Sequence, residues 1–323
     1  MFIQTLNDFP KQFSWEPEVV NADNLAKKEN TIVVGMGGSH LGADLVKTCL
    51  PSLPLIIHSN YGLPEVSKDF LKNSLVILSS YSGNTEEIID SFNIAFKQDL
   101  ALAIITTGSE LLDLAIKNNI AYIKIPDEDI QPRLALGYSF RAILKLLDET
   151  STLGESDALA NKLDLNSIKN KAEVISKKLQ NKIPIIYSSL KNKAIAKIWK
   201  IKFNETSKIP AFFNMFPELN HNEMTGFDSN SATQNLMEKF HFIFLQDKTD
   251  GGKILKRIDA TKSILEQQSF EVDILPFYGD TKTENIFNSL LLADYISFNL
   301  AEYYGNDPDQ VPLVEKFKKI ISS

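Results

Sequence analysis

Short apolar runs alternate with stretches of helical periodicity along most of the chain. Residues 31–34 (T-I-V-V) predict a strand that breaks at the glycines of 35–38, and a helix over 41–50 follows. Further strands are predicted at 53–58, 74–79, 100–106 and 121–125, with helices over 86–96 and 111–118 between them. Residues 138–180 read as mostly helical and charged, with Gly154 as a break. The strand pattern then resumes at 183–187, 241–245 and 270–275, with helices over 193–206 and 284–304. Continuous apolar strands separated by helices imply parallel sheets covered on both faces. The second half repeats the strand–turn–helix plan of the first at low identity. The expectation is therefore two doubly wound parallel-sheet α/β domains in tandem, over 1–150 and 151–323.

Length supports this division, because 323 residues exceed one typical core. At 43% hydrophobic and 23% charged residues the composition is that of a globular protein. A net charge of −7 argues against a nucleic-acid partner, since phosphate-backbone binding draws on Lys and Arg. The single cysteine, Cys49, excludes a disulfide within the chain and suits a reducing compartment. Its position in an apparent helix suggests a buried, inert thiol. No apolar run approaches the ~18 residues of a membrane span, and no secretory signal is visible. A cytoplasmic protein is expected.

Chemistry is concentrated in the turns after the strands, where open α/β sheets bind ligands. The first turn, G-M-G-G-S (35–39), leaves a strand and opens a helix. Glycines let backbone approach a ligand, and N–H groups at a helix start attract an anion. A dinucleotide fingerprint would need glycine at 40, where His40 stands. The acidic ribose partner is also missing, because the next strand ends in H-S-N (58–60). The second turn, S-Y-S-G-N-T (80–85), sets Ser80, Ser82 and Thr85 around Gly83. Three uncharged donors there can ring a phosphate without trapping it. The plainer alternative makes Ser82, Asn84 or Thr85 a simple N-cap, with Glu86 and Glu87 balancing the helix dipole.

These two turns together resemble the sugar isomerase (SIS) domain, a sugar-phosphate-binding α/β module. Two more stretches, Q-P-R-L-A-L-G-Y (131–138) and P-E-L-N-H-N-E (217–223), resemble the bifunctional phosphoglucose/phosphomannose isomerases. The resemblance covers nearly the whole chain, with His40 in place of the small residue usual in the first loop. It implies aldose–ketose isomerisation of hexose 6-phosphates through a cis-enediol, with no cofactor and no metal. Gly38, Ser39, Ser80, Ser82, Gly83 and Thr85 would hold the phosphate. Glu205 would be the base that takes the C2 proton, and Arg133 would stabilise the enediolate. His221 would open the sugar ring from across the interface of a homodimer. Lys318 in the C-terminal helix would contact the sugar, with Lys316 as its rival; the two point about 200° apart on a helix.

Other readings remain open at this stage. Glu205 read alone is a glutamate near a helix C-terminus, where its charge opposes the dipole. Arg133 read alone is a surface salt-bridge partner. A non-catalytic sugar-phosphate sensor would keep the serines without needing Glu205, Arg133 and His221 together. A nucleotide-dependent transferase would need the acidic ribose partner that the sequence lacks.

Overall fold

The computed structural model describes residues 2–228, 230 and 232–321. The first half builds a parallel sheet from β1 (Asn30–Gly35), β2 (Leu55–His58), β3 (Ser74–Ser80), β4 (Ala101–Thr106) and β5 (Ala121–Lys124), in the order β2-β1-β3-β4-β5. The second builds another from β6 (Ile183–Ser189), β7 (Phe212–Phe216), β8 (Phe240–Gln246) and β9 (Glu271–Pro276), in the order β7-β6-β8-β9. Every pairing within both sheets is parallel. Two compact units result. One is Asn7–Leu163; the other comprises the described residues of Met1–Leu6 and Asp164–Ser323.

The central strands are apolar on both faces because helices cover both. Ile32 and Val34 of β1 pack with Val76 and Leu78 of β3 on one side, against Ile88 and Phe92 of the helix Glu86–Lys97. The alternate residues Val33 and Ile77 are equally buried. In the second sheet β8 reads F-H-F-I-F-L-Q, and the period of two puts Phe242 and Phe244 on one face. They stack with Tyr187 and Phe216 at ring separations of 5.4–5.9 Å. Phe227 and Phe270 close that cluster edge-on around Phe242. Elsewhere in this unit Trp199 is fully buried and donates its indole N–H to Ser289 Oγ at 3.0 Å on the long helix Lys282–Tyr304.

Several expectations are corrected here. Gly154 does not break the helical stretch. It lies exposed inside the helix Thr150–Asp157 with open space around it, where a glycine costs only about 1 kcal/mol against alanine. The breaks fall at Asp148, in the left-handed region at φ 59°, at Ala158 between the helices Thr150–Asp157 and Leu159–Lys162, and before Asp164, whose carboxylate caps the helix Leu165–Lys178 at Ser167. The α-helix expected over 193–206 ends at Lys202, and Phe203–Ser207 forms a π-helical turn. Ser188 and Ser189, read as following a strand, are the last residues of β6. Cys49 is half-buried rather than buried. Residues 212–216, left unassigned by the pattern, form β7 at the sheet edge, where Phe212 is exposed. Among the described residues no helix is long and apolar enough to cross a membrane.

His241 at the start of β8 is buried, and its Nε2 lies 2.8 Å from Asp273 Oδ2 on β9. Hydrogen bonding to His241, opposed by burial and aided by Lys178, holds the Asp273 carboxyl below its ordinary value. A carboxyl lowered in the folded state stabilises above its unfolded pKa of ~3.9 and loses that contribution as pH falls. Replacing Asp273 by Asn should therefore flatten the fall of the thermal midpoint below about pH 4. An unchanged slope would contradict the assignment.

Candidate functional site

Three turns meet at the carboxyl ends of β1, β3 and β4. The first is the 3₁₀ turn Gly37–His40, the second is residues 81–85, and the third is residues 107–108. Ser39 clasps the first to the second. Its Oγ accepts the Tyr81 backbone N–H at 3.0 Å, and its carbonyl accepts from Ser79 Oγ at 2.8 Å. The Tyr81 carbonyl in turn accepts from Thr107 Oγ1 at 2.7 Å and from the Thr107 N–H at 3.2 Å. Gly83 locks the second turn to the third: its φ is +73°, and a Cβ there would fall 1.9 Å from the Gly108 carbonyl oxygen. No residue with a side chain fits.

The hydroxyls are ordered within this frame. Ser80 is buried; its Oγ accepts the Gly83 N–H at 3.1 Å and pairs with Thr85 Oγ1 at 2.8 Å. Thr85 precedes the helix Glu86–Lys97, yet its side chain makes no cap hydrogen bond. The simple N-cap reading therefore fails at Thr85, whose hydroxyl is turned to Ser80 instead. Asn84 accepts from the Glu110 N–H, and Ser82 from the Asn84 N–H, so neither of those bonds caps the helix. Ser82 is exposed and Thr85 half-buried, while Ser39 and Ser80 sit behind them.

Arg133 lies beside the first turn. It belongs to a 3₁₀ turn, Pro132–Leu134, packed so tightly on Gly38 that a Cβ at 38 would meet the Arg133 nitrogen at 2.8 Å. At 2% exposure Arg133 is buried rather than at the surface. Its Nη1 reaches Gln131 Oε1 at 3.4 Å. No local pattern signals what holds this turn. Gln12, buried, donates to the Leu134 carbonyl at 2.7 Å and accepts the Gly137 N–H at 2.9 Å. The hydroxyl of buried Tyr138 donates to Glu128 Oε1 at 2.7 Å, fixing the segment that leads into Arg133. Burial and the nearby Asp127 carboxylate push the Tyr81 hydroxyl up to about 12. His40 turns inward, with Nδ1 2.8 Å from Asp44 Oδ2 on the first turn of the helix Leu41–Cys49. Gly38, Ser39, Ser80, Ser82, Gly83, Thr85 and Arg133 thus all belong to the unit Asn7–Leu163.

Glu205, His221 and Lys318 belong to the other unit. Glu205 sits half-buried on the π-helical turn Phe203–Ser207, a distortion frequent at functional sites. That turn is pinned to the helix Lys282–Tyr304 and the residues after it. Lys202 Nζ donates to Asp294 Oδ1 at 2.5 Å with both side chains buried. Ser207 Oγ donates to the Ser297 carbonyl at 2.7 Å, and Asn306 donates to the Ser207 carbonyl at 2.8 Å. His221 ends the 3₁₀ turn Glu218–His221 and is exposed. Its neighbours tie down the backbone: Asn220 Nδ2 donates to Thr261 Oγ1 at 2.8 Å, and Asn222 Nδ2 to Glu218 Oε1 at 2.9 Å. Glu223 completes the anchor. It accepts from Tyr187 Oη at 2.5 Å and from the Asn214 side-chain amide, so β6 and β7 both hold the histidine segment. Burial, with that bond to Glu223, pushes the Tyr187 hydroxyl far up. Glu223 stood in the quoted motif without a role, and Tyr187 read only as a strand residue. Lys318 and Lys316 are both exposed on the helix Pro312–Ile321, where Lys318 pairs with Glu315 at 3.1 Å.

Comparison with known proteins finds relatives over almost the whole chain. Residues 168–321 match the family model of the bacterial phospho-glucose isomerase C-terminal SIS domain. A bifunctional phosphoglucose/phosphomannose isomerase of Caldicellulosiruptor bescii is 34% identical over 93% of this chain and 90% of its own. One from Aquifex aeolicus is 33% identical over 98% of this chain and 97% of its own. Among solved structures, glucosamine-6-phosphate deaminase from Thermotoga maritima shares the fold at a TM-score of 0.69 and 15% identity, covering 96% of each chain. Fold, turn chemistry and kinship over almost the full length converge: the chain belongs to the bifunctional phosphoglucose/phosphomannose isomerase family.

Proposed function

We propose that the chain interconverts glucose 6-phosphate and mannose 6-phosphate with fructose 6-phosphate, working as a cytoplasmic homodimer of tandem SIS domains. The observation that carries this reading is the hydroxyl-lined pair of turns clasped by Ser39, with the buried Arg133 turn packed on Gly38 beside them. Uncharged donors suit a dianionic phosphate that must also leave. Phosphate would meet Ser82 and Thr85 first, with Gly38, Ser39, Ser80 and Gly83 shaping the floor.

In the reaction the Glu205 carboxylate takes the proton from C2. The electrons of that C–H bond form the C1–C2 double bond of the enediol, and the proton of the C2 hydroxyl passes to the former carbonyl oxygen at C1. Arg133, charged at all working pH values, stabilises the developing enediolate. Protonated Glu205 then delivers its proton to C1, and the C2 hydroxyl becomes the ketone. Ring opening precedes this and falls to His221. Lys318 holds the sugar. A sensor on the same cradle is not favoured, since the relatives are named isomerases.

The exposure of His221 in the single chain supports its donation to a partner subunit. So does the helix Pro312–Ile321, which shows Leu313, Phe317 and Ile320 to solvent. A second copy would cover such a face.

Two outcomes test the proposal. A placed general base contributes roughly 10²–10⁴ in rate. Glu205→Gln should lower turnover by at least that lower bound with fructose 6-phosphate affinity kept, and should stop deuterium uptake at C2 from heavy water. Continued uptake would exclude Glu205 as the base. Mixing inactive Glu205→Gln and His221→Ala chains should restore activity, because a hybrid dimer contains one site with both groups intact. Absence of recovery, with hybrids shown to form, would place His221 in its own chain's site.

A further inference from the structure

The two units repeat a local plan with one substitution of chemistry. β1 leads into the 3₁₀ turn Gly37–His40 and the helix Leu41–Cys49; β6 leads into the 3₁₀ turn Leu190–Asn192 and the helix Lys193–Lys202. β3 is followed by residues 81–85 and a helix; β8 is followed by residues 247–251, a loop of the same length, and the helix Gly252–Gln267. β1 lies between β2 and β3, as β6 lies between β7 and β8. The ends of β6 and β8 are therefore the second sheet's switch point, where such sheets take ligands.

In the first unit this place is lined by hydroxyls. In the second it holds a carboxylate. Asp247, directly after β8, has a side chain only 3% exposed. Its Oδ2 lies 3.0 Å from Lys282 Nζ, 3.3 Å from Lys191 Nζ and 3.3 Å from Asn192 Nδ2. Its Oδ1 accepts the Thr249 N–H at 2.9 Å and Thr249 Oγ1 at 2.7 Å. The shell is itself braced. Asn192 is fully buried, donates to Ser189 Oγ at 3.0 Å and accepts from Lys282 at 2.9 Å. Lys191 also reaches Asp250 Oδ1 at 3.2 Å. Two ammonium groups, an amide, a hydroxyl and a backbone N–H around one anion are the donor set of an oxyanion site. An open cleft of about 420 Å³ adjoins it, whose charged lining is Asp247, Lys248, Asp280 and Lys282.

We propose that this crevice is a second oxyanion site, filled from within by the Asp247 carboxylate, and that it takes a phosphate or sulfate group once that carboxylate is removed. Burial pushes the Asp247 carboxyl up, but the Thr249 and Lys282 bonds outweigh it and hold the group well below the carboxylate range. The internal anion is therefore present at every working pH. The second unit is then released from binding a phosphate of its own at this place.

The test compares the full chain with Asp247→Ala in a chloride buffer and titrates inorganic phosphate. Binding is counted by calorimetry, so the result does not depend on turnover or on the role of Glu205. Asp247→Ala should bind one more phosphate per chain than the parent. At a hundredfold excess over its dissociation constant, phosphate should raise the variant's Tm by about 4 °C beyond any rise in the parent. The extra equivalent should vanish in Asp247→Ala combined with Lys282→Ala. If Asp247→Ala is recovered only as unfolded chain, phosphate but not chloride should restore its folding. Equal stoichiometry in parent and variant, an extra phosphate that survives Lys282→Ala, or equal recovery in both salts would overturn the proposal.

Discussion

The bond from the Tyr81 N–H to Ser39 Oγ is the constraint on which the rest of the candidate site depends. It joins two turns that belong to different strands, and it does so where the sheet's connectivity leaves a crevice. Two close approaches make the bond reachable. Gly38 lets the Arg133 turn come into backbone contact, and Gly83 lets residues 81–85 close onto the Gly108 carbonyl. With these fixed, Ser80 can spend its bonds on Gly83 and Thr85, and an ordered set of hydroxyls faces outward. The buried Arg133 turn packs beside that set, against Gly38.

The second unit uses the same layers for a different purpose. Its π-helical turn is held by polar bonds to the helix Lys282–Tyr304 and to Asn306 just beyond it, including the buried Lys202–Asp294 pair. Breaking one partner of such a pair leaves an uncompensated buried charge, so the turn that carries Glu205 is strongly specified. His221 is treated in the opposite way. Its neighbours are anchored through Asn220, Asn222 and Glu223, while the ring itself is exposed.

Much of the fold was legible because parallel strands covered on both faces write themselves as unbroken apolar runs. Eight of the nine strands were read near their observed bounds, from 31–34 for β1 to 270–275 for β9. β7 escaped because it is an edge strand of mixed burial with Asn214 at its centre. Gly154 misled because a glycine in an exposed helix face is a small cost, not a stop. At the site, glycines and hydroxyls after strands were readable as a pattern. Their supports were not: Gln12 lies more than a hundred residues from the turn it braces, and Glu223 reaches back to Tyr187 across the sheet. Such contacts are set by topology and leave no local period. The Asp247 shell was invisible for the same reason, being drawn from three separated segments, 191–192, 247–249 and 282.

A crystal structure of the full chain with fructose 6-phosphate examines the central arrangement most directly. The account predicts phosphate oxygens within hydrogen-bonding distance of Ser82 and Thr85, on the floor made by Gly38 and Ser39, with the Ser39–Tyr81 bond unbroken. Phosphate held at any other place on the chain, or the two turns parted around it, would contradict the account.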